Sequence, residues 1–408
     1  MNEQTPVADA PLFNPFSPEF LRNPYPSFEL LRENQPLMKT PLGFWVASRY
    51  ADVQMILKDR RFGKGFEERM KMRNGDDVFD TPVYANMRTW MLVQDPPDHS
   101  RLRGLVSKAF TARRIEGLRP QIQSLVDELL DRVAPRGRMD FIRDFAYPLP
   151  VNVICDMLGI PQEDRSHFEF GSKISGRLID PTPVSSEELQ EIGDGFARQE
   201  AYFRDLFARR RAEPQDDLTT VLVQAEEAGE RLTEAELVGN VILLFGAGHE
   251  TTVNLLGNGL LALLQNPDEY AKLRDNPDLV PGAIEEMLRF DSSVQMTGRT
   301  AMEDVEVNGV TIPKGDHVIN LLGSANRDGA AFDAPESFRV DRKDVRPMSF
   351  GGGIHFCLGA QLARVEADIA FRSLLARLPD LRLEKPDEAD WRPTFTLRGL
   401  TGLPIAWG

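Results

Sequence analysis

Residues 350–359 read Phe350-Gly351-Gly352-Gly353-Ile354-His355-Phe356-Cys357-Leu358-Gly359. The segment that follows, Ala360 to Leu378, places Leu362, Val365, Ile369 and Leu374 on one helical face. A cysteine therefore stands at the entrance of a helix, behind a glycine-rich turn. Backbone N–H groups and the positive helix end favour a thiolate there. Glycines leave a surface without side chains, against which a large planar cofactor could lie, and N–H groups near a ligating sulfur tune its electron donation. These residues alone leave other readings open. One is a buried structural cysteine at a helix start. A zinc site needs about four ligands and finds two in His355 and Cys357. A catalytic Cys/His pair is disfavoured because positions i and i+2 rarely hold nucleophile and base together.

The rest of the chain narrows the choice. At roughly 150 residues per domain, 408 residues suggest two or three domains, although large single folds reach this size. A hydrophobic fraction of 41% and a charged fraction of 27% exclude disordered, collagen-like and disulfide-framework proteins. The net charge of −15, with no basic stripe to oppose it, excludes a nucleic-acid binder. The two cysteines, Cys155 and Cys357, suit a reducing compartment, and Cys155 reads as core packing in the apolar segment 151–158. Residues 1–20 form an acidic, proline-rich N-terminal segment with no basic n-region or apolar h-region, and it is expected to be flexible. No run approaches 18 apolar residues, so no membrane span is expected, and the chain reads as cytoplasmic.

Helical periodicity dominates. It marks 118–133, 151–158 and 196–211. The longest pattern opens with the capping box Thr233-Glu234-Ala235-Glu236 and stops at Asn266-Pro267. At 1.5 Å per residue this helix would run roughly 50 Å and cross the whole molecule. Its middle is apolar on nearly every side and should be buried, yet it holds Gly246, Gly248, His249, Glu250, Thr251 and Thr252. Such local conflicts often mark function. Strands are expected at 305–307 and 310–312 around the Asn308-Gly309 turn, at 317–322, at 43–48 and at 402–407. The fold class is mainly α with minor β.

The segment 350–359 resembles F-x-x-G-x-H-x-C-x-G, the haem-ligand loop of cytochrome P450 enzymes, through Phe350, Gly353, His355, Cys357 and Gly359. A chance match in a chain of this composition is on the order of 10⁻⁵. The resemblance implies that Cys357 is the axial thiolate of haem b, iron protoporphyrin IX. Three further motifs lie in family order. Ala247-Gly248-His249-Glu250-Thr251 is similar to the oxygen-activation motif A-G-x-D/E-T, with Thr251 and Glu250 as proton-relay groups and Ala247 and Gly248 beside the cofactor. The plain alternative is a helix whose hydroxyls bond back to i−4 carbonyls. Glu286 and Arg289 match E-x-x-R, implying a buried structural ion pair. The family's P-E-R-F segment reads Pro335-Glu336-Ser337-Phe338, without the arginine, and Arg342 is the expected third member. His99 and Arg103 match H-x-x-x-R, and with Arg299 and His355 they imply contacts to the haem propionates. The resemblance makes the chain one catalytic domain, 1–408, with haem between the long central helix and the cysteine-loop helix.

By chain order the resemblance places a substrate pocket at Val83, Met87, Leu92, Leu243, Leu244, Ala247, Val294, Gln295, Met296, Thr396 and Leu397, with Gln295 and Thr396 as orienting groups. The segments 79–95 and 168–190 are expected to be irregular and mobile. The implied activity is monooxygenation: one oxygen atom of O₂ enters a small apolar organic substrate and the other becomes water. Electrons would come from NAD(P)H indirectly, through a reductase and a separate iron–sulfur ferredoxin or a flavodoxin. Lys108, Arg113, Arg114, Arg342, Lys343, Arg346 and Arg364 are candidates for the docking face. The chain is expected to act as a monomer. The competing readings are a peroxide-driven peroxygenase, which would not need the Glu250/Thr251 relay, and a haem sensor or carrier without catalysis.

Overall fold

A computed structural model of the chain describes residues 13–168, 176–181, 184–227, 232–378, 380–385 and 389–408. Its axis is the helix Glu234–Gln265. Thr233 accepts from the Glu236 N–H, and the Glu236 carboxylate returns the bond to the Thr233 N–H at 2.9 Å, completing the expected capping box. The helix is buried on nearly all sides because other helices surround it. Pro148–Leu158, Val280–Phe290 and Ala360–Arg377 all pack against it. Two apolar clusters share it. One joins its C-terminal half to Arg119–Val133 and Ala360–Arg377; the other joins its N-terminal half to Asp98–Ser107 and Ser186–Ala212. Fully buried side chains such as Phe203, Phe207 and Phe245 each contribute roughly 1.5–3 kcal/mol by leaving water.

Helix packing bears on Gly248 of the motif in the central helix. A Cβ at Gly248 would meet Ile154 Cδ1 at 3.0 Å, so glycine here permits close approach of the Pro148–Leu158 helix, and the central helix runs through it without interruption.

The main sheet has five strands, in the order Leu37–Lys39, Trp45–Ala47, His317–Leu321, Met296–Ala301 and Phe62–Gly63. Only the Trp45–Ala47/His317–Leu321 pair is parallel. The Val305–Val307/Val310–Ile312 hairpin forms as expected, with positive φ at Asn308 (51°) and Gly309 (76°), as a two-residue turn of this type requires. The strand expected at 402–407 is instead two. Leu400–Gly402 pairs with Asp390–Trp391, and Pro404–Ala406 pairs with Arg138–Asp140 and Arg382–Leu383, so the chain changes sheet at Leu403.

Two expectations are corrected. The N-terminal segment is not loose over its whole length: Phe13 and Phe20 are buried, and both rings meet Phe395 edge-on at 5.9 and 5.3 Å. Residues 1–12 lie outside the described residues. Nor is 79–95 irregular throughout. It carries the helix Pro82–Met87 and the fully buried Trp90, whose indole N–H donates to Asn86 at 2.8 Å. Residues 169–175 and 182–183 of the other expected mobile segment are not described.

The Glu286/Arg289 pair is completely buried, at 2.6 and 2.8 Å, and Arg342 Nε joins it at 3.1 and 3.0 Å. The side chain of Ser337 takes no part, but its carbonyl accepts from both arginines. From here bonds run to the cysteine loop. Arg289 donates to the Asn326 carbonyl, and the Asn326 side chain accepts from Met348 N–H and donates to Ser349, two residues from Gly351. Glu286→Ala leaves two guanidinium groups buried without their anion. It should cost about 3–5 kcal/mol, read as a lowered urea midpoint; a loss below about 1 kcal/mol would show that the network is not a load on stability.

Candidate active site

A cavity of about 1630 Å³ lies between the central helix and the cysteine loop. The loop takes its shape from two left-handed glycines, Gly351 (φ 68°) and Gly353 (φ 64°). At Gly353 a Cβ would also strike the Leu57 carbonyl at 2.1 Å, so no other residue fits. Cys357 N–H donates to the Phe350 carbonyl at 2.9 Å, and Gly359 caps the helix Ala360–Arg377. The accessible surface of Cys357 faces into the cavity. Burial pushes the thiol above its usual value, against the Gly359 N–H, Arg103 and Arg364, which all favour the thiolate. The contribution of the Gly359 N–H is the one expected from the placement of the sulfur at a helix entrance. A metal ion held by this sulfur would favour the thiolate further, since ligation displaces the thiol proton.

Above one edge of the loop is a cluster of basic side chains: Lys64, His99, Arg103, Arg299, His317 and His355, with Arg69 beyond Lys64. The rings of His99 and His355 are 4.1 Å apart. His99 Nδ1 and His355 Nε2 are buried without a partner among the described residues. Arg103 donates to the Phe356 carbonyl at 2.6 Å, and Arg299 to the Gly298 carbonyl at 2.9 Å. Asp95 is the neighbouring acid, and it is committed to the N–H groups of Lys64 and Gly65 at 2.8–3.0 Å. Desolvation, then mutual repulsion, holds His355 far below the usual histidine range and His317 at about 3. Burial lowers Arg299 to about 10 and Lys64 well below the ordinary lysine value. Such a cluster is short of negative charge, and two carboxylates on one cofactor edge would supply it. Cys357, the side-chain-free loop and this cradle together fit haem.

Across the cavity, Ala247 is exposed at the middle of an otherwise buried helix, so that exposure faces inward. Thr251 lines the same wall, its hydroxyl 3.3 Å from the Ala247 carbonyl. That is the weak i−4 bond named as the plain alternative, and it leaves the hydroxyl easily recruited. Glu250 is 8% exposed and accepts from Arg392 Nη1 at 2.9 Å. Burial pushes its carboxyl up to about 7, against the pull of Arg392. A carboxyl half-protonated near neutrality can both give and take a proton. Thr252 turns toward Glu366, a wholly buried carboxyl pushed up to about 8. His249 points elsewhere: Nδ1 donates to the Phe245 carbonyl at 2.6 Å, and burial lowers the ring to about 4.

Of the expected substrate-pocket residues, Met87, Leu92, Leu243, Leu244, Ala247, Val294, Met296, Thr396 and Leu397 line the cavity. Val83 and Gln295 do not. Val83 is buried in the core beside Gly193, and Gln295 spends its amide on the Ser292 carbonyl at 2.7 Å and the Tyr25 hydroxyl at 3.3 Å, which removes it as an orienting group. Arg342 leaves the docking candidates because the ion-pair network buries it. Lys108, Arg113, Arg114, Lys343 and Arg346 are exposed, and Arg364 pairs with Glu285. Sequence reasoning missed Lys64, Arg69, Arg392 and Glu366. Glu366 had a signal, a charge beside Val365 and four residues after Leu362 on the apolar face of its helix. Lys64 had a weaker one, standing between two glycines.

Residues 44–396 match the family model described as Cytochrome P450. The chain is 45% identical over 372 residues to cytochrome P450 107B1 of Saccharopolyspora erythraea, covering 90% of each. It is 40% identical to the vitamin D(3) 25-hydroxylase of Pseudonocardia autotrophica, covering 96% of each. The crystal structure of P450BioI in complex with a hexadec-9Z-enoic acid ligated acyl carrier protein superimposes with a TM-score of 0.88 at 40% identity, covering 96% of this chain and 99% of that one. No helix among the described residues is long and apolar enough to cross a membrane.

Proposed function

This chain belongs to the cytochrome P450 family of monooxygenases, and on that premise we propose that it inserts one oxygen atom of O₂ into a small, largely apolar organic substrate, with electrons from a separate ferredoxin and its reductase. The observation that carries the reading is the opposition, across one cavity, of the Cys357 sulfur and the Ala247–Thr251 turn of the central helix. When bound, haem supplies the site at which dioxygen is activated. Cys357 would hold its iron; Lys64, His99, Arg103, Arg299 and His355 would hold its two carboxylates.

The chain's own groups do the rest. Met87, Leu243, Leu244, Val294 and Leu397 exclude water and favour an apolar body by burial. The Thr396 hydroxyl is spent on the Ile179 carbonyl at 3.2 Å, so orientation in this part of the cavity rests mainly on shape. Glu250 holds a proton at its carboxyl oxygen, and Arg392, partly exposed, ties that carboxyl to the protein surface. The Glu250–Arg392 pair favours dioxygen over peroxide as oxidant, because peroxide use does not require a proton relay. A screen of small organic compounds for the low-spin to high-spin change, followed by product analysis of the hits, tests the reading. Hits that bind, consume reductant with a redox chain and yield oxygenated products support it; binding with no oxidation of any hit would favour a carrier or sensor.

Electron delivery is expected at the face around the cysteine loop, and of the candidate cations Lys108, Arg113, Arg114, Lys343 and Arg346 are exposed. Ile354 and Phe356 of the loop itself are also exposed. Reversing Arg113 and Arg114 to glutamate should slow reduction by an acidic ferredoxin about ten-fold at low salt and flatten its salt dependence. Stopped-flow reduction at two ionic strengths measures both; no change in either would remove these two residues from the docking face.

A further inference from the structure

The helix Phe66–Asn74 borders the cavity, and of its three cations Arg69 and Arg73 line it, four residues apart and so on one face. Arg69 Nε is buried with no hydrogen-bond partner among the described residues, and its guanidinium lies over the Phe66 ring at 5.8 Å. Arg73 is exposed, with one long bond of 3.4 Å to the Pro181 carbonyl. Around them the rim is apolar and open: Phe16 is 40% exposed, Leu42 72% and Met72 83%. Inward from the rim the walls are Phe66, Met70, Met87, Leu243 and Leu397.

The basic side chains of this cavity exceed what the cofactor needs. Two haem carboxylates are served by Lys64, Arg103 and Arg299 with His99 and His355, the groups that bear electrostatically on His355. Arg69 is not among those; its own charged neighbour is Arg73, and it bears on His317 and on Lys64. The acids lining the cavity are engaged elsewhere. Asp180 accepts from the N–H groups of Phe395 and Thr396, Asp316 pairs with Lys39, and Glu250 with Arg392. The remaining acid, Glu68, is exposed to solvent.

We propose that Arg69, assisted by Arg73, binds the anionic head of an amphiphilic substrate whose apolar body extends inward past Met87 and Leu243 toward the Cys357 face. The proposal rests on the monooxygenase reading and names the substrate class for it. The head group is a carboxylate or a phosphate ester, since a guanidinium recognises either through paired N–H donors. A partnerless buried guanidinium N–H is costly, and an incoming anion removes that cost.

The test is a spectral titration of the holoenzyme with tetradecanoate, its methyl ester and tetradecyl phosphate. The wild-type protein should bind one of the two anions at least about ten-fold tighter than the ester, the scale of a charge-assisted hydrogen bond. Whichever anion binds tighter identifies the head group. Arg69→Gln should abolish that preference and leave ester binding unchanged, and Arg69→Glu should invert it toward tetradecyltrimethylammonium. Equal affinity of both anions and the ester for the wild-type protein would overturn the proposal. So would equal weakening of acid and ester in Arg69→Gln, which marks a packing role, or loss of haem from that variant, which marks a cofactor role. Equilibrium dialysis of labelled tetradecanoate repeats the comparison without the cofactor signal. A protein that oxidises neutral compounds but does not discriminate acid from ester loses this inference and keeps the monooxygenase reading.

Discussion

Cys357→Ala is expected to abolish the thiolate-type carbon monoxide spectrum of the reduced protein and to bring turnover to background. The change removes the one thiol that faces the cavity; Cys155 is buried in the core, its thiol pushed up to about 12 by desolvation. The fold should survive. The loop is shaped by Gly351 and Gly353 and by the Cys357 N–H bond to the Phe350 carbonyl, none of which needs the side chain. Stability should therefore change by less than about 1 kcal/mol, as at other sites where no packing is lost. Haem content should fall only in part, because the carboxylate cradle of Lys64, Arg103 and Arg299 is untouched. Pigment extraction, the carbon monoxide difference spectrum and a urea melt separate these outcomes. A variant that keeps the thiolate spectrum would disprove the ligand assignment.

The second large effect belongs to the acid on the central helix. Glu250→Gln keeps the shape of the side chain and removes its proton. Turnover should fall about 100-fold, the lower end of what a positioned acid or base contributes, while substrate binding stays within about two-fold. Thr251→Ala should leave haem in place and divert reducing equivalents to hydrogen peroxide. The pH dependence carries the sign. Burial raises Glu250 to about 7, so the carboxyl is protonated below that pH and loses its proton as pH rises through it. Wild-type turnover should show a limb that falls across neutrality. Glu250→Gln should lack that limb. Arg392→Gln, which removes the cation favouring the carboxylate, should move it to higher pH. A limb unchanged in Glu250→Gln would assign it to another group, and Glu366, pushed up to about 8, is the next to test.

Much of this was readable along the chain because it is local. The capping box at Thr233, the Asn308-Gly309 hairpin and the helix after Gly359 depend on residues a few positions apart, and each forms where the pattern places it. The spacing of Phe350, Gly353, His355, Cys357 and Gly359 carries the family because a glycine-rich turn must bring one sulfur to a helix entrance. Arg342, foreseen as the partner of Glu286 and Arg289, has no local signature. It was inferred because Ser337 stands where the family has arginine, and it meets Glu286 across 56 residues.

The failures are non-local in the same sense. Val83 and Gln295 lie in the expected segments, but the pitch of a short helix and the pull of Ser292 and Tyr25 turn them away from the cavity. Gly248 lines the cavity and is also a contact surface for Ile154, which the motif does not show. Arg392 reaches Glu250 from 142 residues away, and nothing near either residue announces the other.

By itself the sequence determined the cofactor-binding loop, the long buried helix and the order of four motifs, since these are written in short-range spacing and in which side chains can be buried. Only the tertiary structure decided that Lys64, Arg69 and His317 join the basic residues around the cavity, and which acids there are already paired. The reason is physical: whether a charge is free to bind a ligand depends on desolvation and on partners, and both are set by chain segments that meet only when the protein folds.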